Sequence, residues 1–469
     1  MSAAPQAPAG SPALESILPP DLAAAIRARM DADEHTAAGG AVADAVLGAK
    51  PKIAFPPPPT EPKSLAEAGL GEGLVDALLL KALLGAVNAT TGELAHQVRL
   101  SRAMVNEVLG RLRDDLLVTI KGQAGGADYV YQLTEAGQAR ARGHAEHANY
   151  ADAAPVPLAA YQRAIHAQAL GQTRVTVDRL RDAFGELQVS DELLGSVAQA
   201  VSDGRGLFLY GPPGNGKTTI AERLCEAFGK RLWIPRTVSV GPDLLRLYDE
   251  SCHQAVDAQE LAGVEYDRRW VLIKRPTVVV GGELTLEQLD PAFNPTSGVS
   301  EAPVQMKANG GVLVIDDFGR QRVGATELLN RLIVPLEKQV DYLSLASGRQ
   351  ARIPFEMLCV LSTNLEPRQL VDEAFLRRIP YKIEVVDPSL EQFRDLFAMY
   401  AAQLKLELAP GVVDALLEEH YQPTGRPMRF CHPRDLLRQV RTYCLVNDMP
   451  PRVDADAINA AVKNYFAGL

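Results

Sequence analysis

Aromatic residues make up only 6% of the chain, with two tryptophans, and the five cysteines (Cys225, Cys252, Cys359, Cys431 and Cys444) are scattered without a CxxC pair. So few and so odd a set excludes a disulfide scaffold and reads as free thiols in a reducing compartment. Cys431 beside His432 and Cys252 beside His253 lack the repeated spacing of a zinc site. No long apolar run is present either. The best membrane candidate, Gly73–Val87, is interrupted by Asp76 and Lys81 at helical spacing. The opening MSAAPQAPAG has neither a charged n-region nor an apolar h-region, so no secretion signal is expected and a cytoplasmic location is the simplest. An excess of basic charge is missing as well: the net charge is −10, which gives no global footprint for nucleic acid. No internal repeat is found.

What is there is an ordinary globular composition, 47% hydrophobic and 23% charged, in 469 residues. That length suggests about three domains, and the chain divides into five stretches. Residues 1–62 are rich in Ala and Pro and end in Pro56–Pro59. They are expected to form a disordered tail, with the polyproline as an extended spacer and a short helix fitting near Asp21–Met30. Residues 149–175, around Pro155-Val156-Pro157, are expected to form a linker. Residues 176–386 hold the chemistry, and residues 387–469 read as an all-helical lid.

Residues 63–148 read as three helices and a hairpin. Leu74, Val75, Leu78, Leu79, Ala82 and Leu83 mark one helical face. Thr90-Thr91-Gly92-Glu93 fits a capping box. Ser101 can cap a third helix whose face is Met104, Val105, Val108, Leu109 and Leu112. Leu117–Ile120 and Tyr129–Leu133 then flank a glycine turn, as hairpin strands do. This order, with Tyr131-Gln132-Leu133-Thr134-Glu135-Ala136-Gly137 at its end, resembles a winged helix-turn-helix domain. Between Leu65 and His144 nine acids stand against eight bases, and Asp114 and Asp115 follow the third helix directly. A protein ligand is therefore slightly favoured over DNA, although Arg102, Arg111 and Arg113 are placed to meet phosphates.

The apolar run Leu207–Tyr210 precedes Gly211-Pro212-Pro213-Gly214-Asn215-Gly216-Lys217-Thr218, which fills every fixed position of the P-loop pattern. A helical pattern follows, with Ile220, Leu224 and Phe228. The cradle comprises Gly211, Pro213, Gly214, Asn215, Gly216, Lys217, Thr218 and Thr219. Its glycines let backbone N–H groups close around phosphate oxygens. Lys217 reaches the outer phosphates of ATP and the Thr218 hydroxyl ligates Mg²⁺. Val312–Ile315 is a buried strand with Asp316 and Asp317 at its C-terminal edge, where open α/β sheets bind ligands. Asp316 is placed to hold the metal and Asp317 to orient or deprotonate a water.

From about Val175 to Leu469 the chain resembles an AAA+ ATPase, an α/β P-loop module with a C-terminal helical lid. Leu361-Ser362-Thr363-Asn364 matches that family's sensor 1, which implies that Asn364 positions water. Phe375-Leu376-Arg377-Arg378-Ile379 resembles the arginine-finger segment, with Arg378 aligned best and Arg377 in reserve. His432-Pro433-Arg434-Asp435-Leu436-Leu437 resembles sensor 2, which makes Arg434 the arginine that reads the γ-phosphate. Where the family usually has Glu, this chain has Asp317, so slow hydrolysis or a nucleotide switch is open. The long span from Lys217 to Asp316 contains an insertion, in which Thr277–Gly282 is counted. It is equally a substrate-facing pore loop or a plain elaboration. Val340–Leu345 and Ile353–Phe355, joined at Ser347-Gly348-Arg349, read as a hairpin like that of the pre-sensor-1 clade. Trp233 and Trp270 read as core packing rather than binding platforms.

The resemblance implies a Mg²⁺-dependent ATPase, assembled with its own copies into a ring, a hexamer, that remodels a protein client recruited by the winged helix. The alternatives are an ATP-regulated DNA-binding protein, such as a loader or transcriptional regulator, and a nonhydrolysing ATP switch.

Overall fold

The computed structural model describes residues 56–125, 128–170, 175–185 and 187–467; of the tail expected over residues 1–62, residues 1–55, with the helix expected near Asp21–Met30, lie outside them. The first described unit opens with the helix Glu72–Ala86 and the short strand β1 (Asn88–Thr90). The helix Thr91–Val98 starts at a capping box, in which Thr90 accepts from Glu93 N and Glu93 accepts from Thr90 N at 2.8 Å. Ser101 caps the helix Arg102–Asp114. Strands β2 (Val118–Gly125) and β3 (Asp128–Leu133) complete an antiparallel sheet of order β1-β3-β2. Leu78, Leu79, Leu83, Val105, Val108 and Leu109 are fully buried between these elements. The helix Glu135–His147 closes the unit from behind. It approaches so closely that a Cβ on Gly137 would strike the Leu117 carbonyl.

The expected linker is built into the fold instead. Tyr150 donates to the Ala153 carbonyl at 2.6 Å and bonds Thr237 Oγ1 at 2.8 Å, and Ala154 N donates to Val98 O. Strand β4 (Val156–Pro157) joins a sheet, and the helix Leu158–Ala167 buries Tyr161 and Ile165. Leu158, Tyr161 and Ile165 lie on one helical face, which needs a core.

After β5 (Leu207–Tyr210) and the helix Lys217–Arg223, the chain runs through β6 (Arg231–Pro235), β7 (Thr237–Val240), β8 (Asp243–Arg246) and β9 (Trp270–Lys274). Then come β10 (Thr277–Val280), β11 (Ala292–Asn294) and β12 (Val299–Glu301). Strands β6 and β9 pair with each other, and a separate sheet has the order β11-β12-β8-β7-β4. The insertion is thus a β-rich platform. Its turn 266–269 receives the first unit: buried Arg269 pairs with buried Asp267 and donates to the carbonyls of Ala68 (2.9 Å) and Pro155 (3.0 Å).

Strands β13 (Val312–Ile315), β16 (Leu358–Thr363) and β17 (Tyr381–Glu384) join β5 in a wholly parallel sheet of order β10-β13-β16-β5-β17, with the hairpin β14 (Val340–Ser344) and β15 (Gln350–Pro354) set apart. Thr277–Val280, counted above within the insertion, is therefore an edge strand of the core sheet, paired residue for residue with β13. Both faces of the sheet are covered, which is why its strands read as unbroken Val, Leu and Ile. The C-terminal helices Leu390–Leu404, His432–Val446 and Ala455–Tyr465 share a core of Phe393, Phe397, Leu436, Leu437 and Val440. Among the described residues no helix is long and apolar enough to cross a membrane.

Candidate active site

At the end of β5 the chain must turn back sharply into the helix that begins at Lys217. Gly211, Gly214 and Gly216 do this with φ of 138°, 84° and 80°, which side chains rarely adopt. Space demands glycine too: a Cβ on Gly211 would meet the Val385 carbonyl, and one on Gly214 would lie 2.6 Å from the Cys431 sulfur.

Lys217 is buried beneath this loop. Its ammonium donates to the carbonyls of Gly211 and Pro212, each at 2.9 Å, and to Asn364 Oδ1 at 2.6 Å. Burial holds its pKa below the ordinary lysine value, opposed by the Asp316 and Asp317 charges. The Thr218 hydroxyl donates to Asp316 Oδ2 at 2.8 Å. Two hard oxygen donors thus meet at one point, a donor set suited to Mg²⁺. Asn364 Nδ2 donates onward to Asp317 Oδ1 at 3.1 Å. Strand order explains the chain of contacts: β16, which delivers Asn364, lies between β5 with the loop and β13 with the carboxylates.

Asp317 has a φ of 48°, in the left-handed region. Asp and Asn tolerate that region better than longer side chains, because their short polar groups bond locally. The backbone therefore supplies a reason for a short carboxylate at this position.

The lid closes over the same loop. Cys431 N donates to Gly214 O at 2.9 Å, and Asn215 Nδ2 donates to Asp387 Oδ1 at 2.7 Å. Arg429 forms an ion pair with the same Asp387. Asp387 and Arg429 were not anticipated. Their only signals were position, Asp387 just past β17 and Arg429 on the approach to the lid helix. Arg434 lines the cleft, and its Nε donates to Asp435 at 2.9 Å, which raises its pKa.

The cleft between sheet edge and lid has a volume of about 670 Å³ and is lined also by Pro213 and Thr219. Its lining combines the charged Lys217, Asp316, Asp317 and Arg434 with the apolar Leu187, Val189, Leu193, Leu396 and Met399. The fold so gathers the loop, both carboxylates, Asn364 and Arg434. It leaves out the remaining arginines: Arg378 bonds Glu337 Oε1 at 2.5 Å on the helix Ala325–Lys338, and Arg377 is exposed.

On the first unit the arginines of the helix Arg102–Asp114 meet acids. Arg111 reaches Asp76 (2.7 Å) and Glu72 (3.2 Å), Arg113 reaches Asp114 (3.3 Å), and Arg102 lies 3.9 Å from Asp128.

Residues 389–464 match a family described as a domain of unknown function (DUF8689). No curated protein matches the chain. Among solved structures it is similar to NtrX from Brucella abortus, 17% identical, with 60% of this chain and 56% of that one covered at a TM-score of 0.38. For NtrX in complex with ADP the figures are 15%, 61%, 57% and 0.38. The chain thus spans little over half the length of NtrX. RuvB of Thermotoga maritima, described as a Holliday junction branch migration motor, is 14% identical, with 63% of this chain and 73% of that one covered at a TM-score of 0.33.

Proposed function

We propose that this chain is a Mg²⁺-dependent ATPase of the AAA+ kind that remodels a protein target or assembly. The observation that carries the reading is the convergence of Lys217, Thr218, Asp316, Asn364 and Asp317 at one sheet edge through contacts of 2.6–3.1 Å. In this reading the backbone N–H groups of Gly211–Thr218 cradle phosphate oxygens. Lys217 exchanges its carbonyl and Asn364 contacts for the outer phosphates. Thr218 and Asp316 hold Mg²⁺, which when bound draws charge from the phosphates. Asp317, its carboxylate held by Asn364, accepts the proton of the attacking water. Arg434 approaches the terminal phosphate from the lid, and the apolar side chains of the cleft take the base. Arg378, outside the cleft of its own chain, serves a neighbouring copy in a closed ring, a hexamer.

The first unit, read as a winged helix, recruits the protein partner. Its paired arginines support this over DNA, since charges already neutralised by acids release few counterions on meeting a phosphate backbone. The test is phosphate release from ATP by the purified chain. Release should require Mg²⁺ and should vanish in Lys217→Ala, which removes the one lysine of the loop. Turnover unchanged in that variant contradicts the proposal.

A further inference from the structure

Pro56–Pro59 does not hang free as a spacer. The indole N–H of Trp233 donates to the Pro56 carbonyl at 3.1 Å, and the Asp267 N–H donates to the Pro59 carbonyl at 2.9 Å. Trp233 itself is almost fully buried, and its ring lies 4.9 Å from that of Tyr266, centroid to centroid, at 43°. The two accepting carbonyls are three residues apart. Burial keeps the same step: Pro56 and Pro59 are partly covered and Pro62 is buried, while Pro57, Pro58, Thr60 and Glu61 are exposed. A period of three is that of a polyproline II helix, which has three residues per turn and no internal hydrogen bonds, so its carbonyls are free to accept from outside. Aromatic rings that flank a donor are the common means by which proteins read such a helix.

We propose that Trp233, Tyr266 and the Asp267 N–H form a polyproline-binding shelf on the insertion, with this chain's own Pro56–Pro59 as its resident ligand. Trp233 is then a binding platform, contrary to its reading as core packing. The segment acts as a clasp. It docks at the turn whose Arg269 also grips Ala68 and Pro155, so three stretches of the N-terminal part are tied to one point of the platform. Proline's fixed φ lowers the entropy lost on docking. Covalent attachment gives the segment an effective concentration in the millimolar range, enough to hold a ligand that binds weakly in trans.

The test uses the full chain labelled with 5-fluorotryptophan, whose two resonances are assigned with Trp270→Phe. Replacing Pro56, Pro57, Pro58 and Pro59 together by alanine should shift the Trp233 signal towards that of solvent-exposed indole and leave Trp270 in place. A synthetic peptide of residues 52–62 should then return the signal saturably at sub-millimolar to millimolar concentration, and its all-alanine counterpart should not. An unmoved Trp233 signal in the alanine variant overturns the proposal, as does a moved signal that the wild-type peptide leaves where it is. A second variant guards against misfolding. Trp233→Phe keeps a ring and loses the donor, so trypsin should cut after Lys63 several-fold faster while the rest of the cleavage pattern stays as in the parent. Cleavage after Lys63 at the parent rate contradicts the clasp.

Discussion

The cleft and the first helix–hairpin unit treat charge in opposite ways. At the cleft, Lys217, Asp316 and Asp317 crowd one sheet edge, and their contacts with Thr218 and Asn364 are ones a ligand can replace. On the helix Arg102–Asp114, Arg111 and Arg113 sit on acids of their own unit. The first arrangement suits a small, highly charged ligand. The second suits an apolar or mixed surface. A P-loop and a helix-turn-helix pattern look equally functional as sequence, and only the pairing of their charges separates them.

The comparison breaks first at the arginine left outside the cleft. Arg378→Ala should keep ATP affinity and slow phosphate release by about 10³-fold or more, the range an arginine finger supplies in small GTPases. A wild-type rate in that variant, or a monomer by light scattering with Mg²⁺ and ATP, removes the ring from the account. On the other unit the large effect should come from packing. Leu109 is fully buried, so Leu109→Ala should cost about 2–5 kcal/mol in denaturant unfolding. Arg111→Ala, which breaks a partly exposed pair, should cost about 1 kcal/mol or less and leave turnover unchanged.

Acidity sharpens the contrast between lid and sheet. His432 is buried beside Tyr421, and burial, with Arg429 and Arg426 adding, pushes its pKa down to about 4 from 6.5. Folded His432 is thus neutral where the unfolded chain would take up a proton. Its contribution is full above about pH 6.5 and is lost as pH falls towards 4. The Tm should therefore fall between pH 7 and 5, and less steeply in His432→Gln. Parallel pH profiles for the two proteins would assign the acid loss elsewhere.

Much of the cleft was legible because its chemistry is written in contiguous residues. Gly211–Thr218, Val312–Asp317 and Leu361–Asn364 each combine a strand end with the group it delivers. What stayed hidden depends on long-range packing. Nothing local in Thr277–Val280 tells an edge strand of the core from a strand of the insertion; the register with β13 decides it. Asp387 and Arg429 become a pair only when the lid folds back over Asn215. Pro56–Pro59 reads as spacer until Trp233, far along the chain, supplies a donor. The linker differs from its expectation for a simpler reason: beside Pro155 and Pro157 stands the apolar face of Leu158, Tyr161 and Ile165, which buries against the platform.

The central claim is that the carboxylate at 317 performs the proton transfer while 316 holds the metal. Asp317→Asn is nearly isosteric and equally at ease at a φ of 48°. Equilibrium ATP binding and single-turnover phosphate release, measured on the same preparation of this variant, test the claim most directly. The account predicts parental affinity for Mg²⁺-ATP and a loss of turnover of about 10²–10⁴-fold, the share a positioned general base contributes. Parental turnover in Asp317→Asn, with affinity intact, would contradict it.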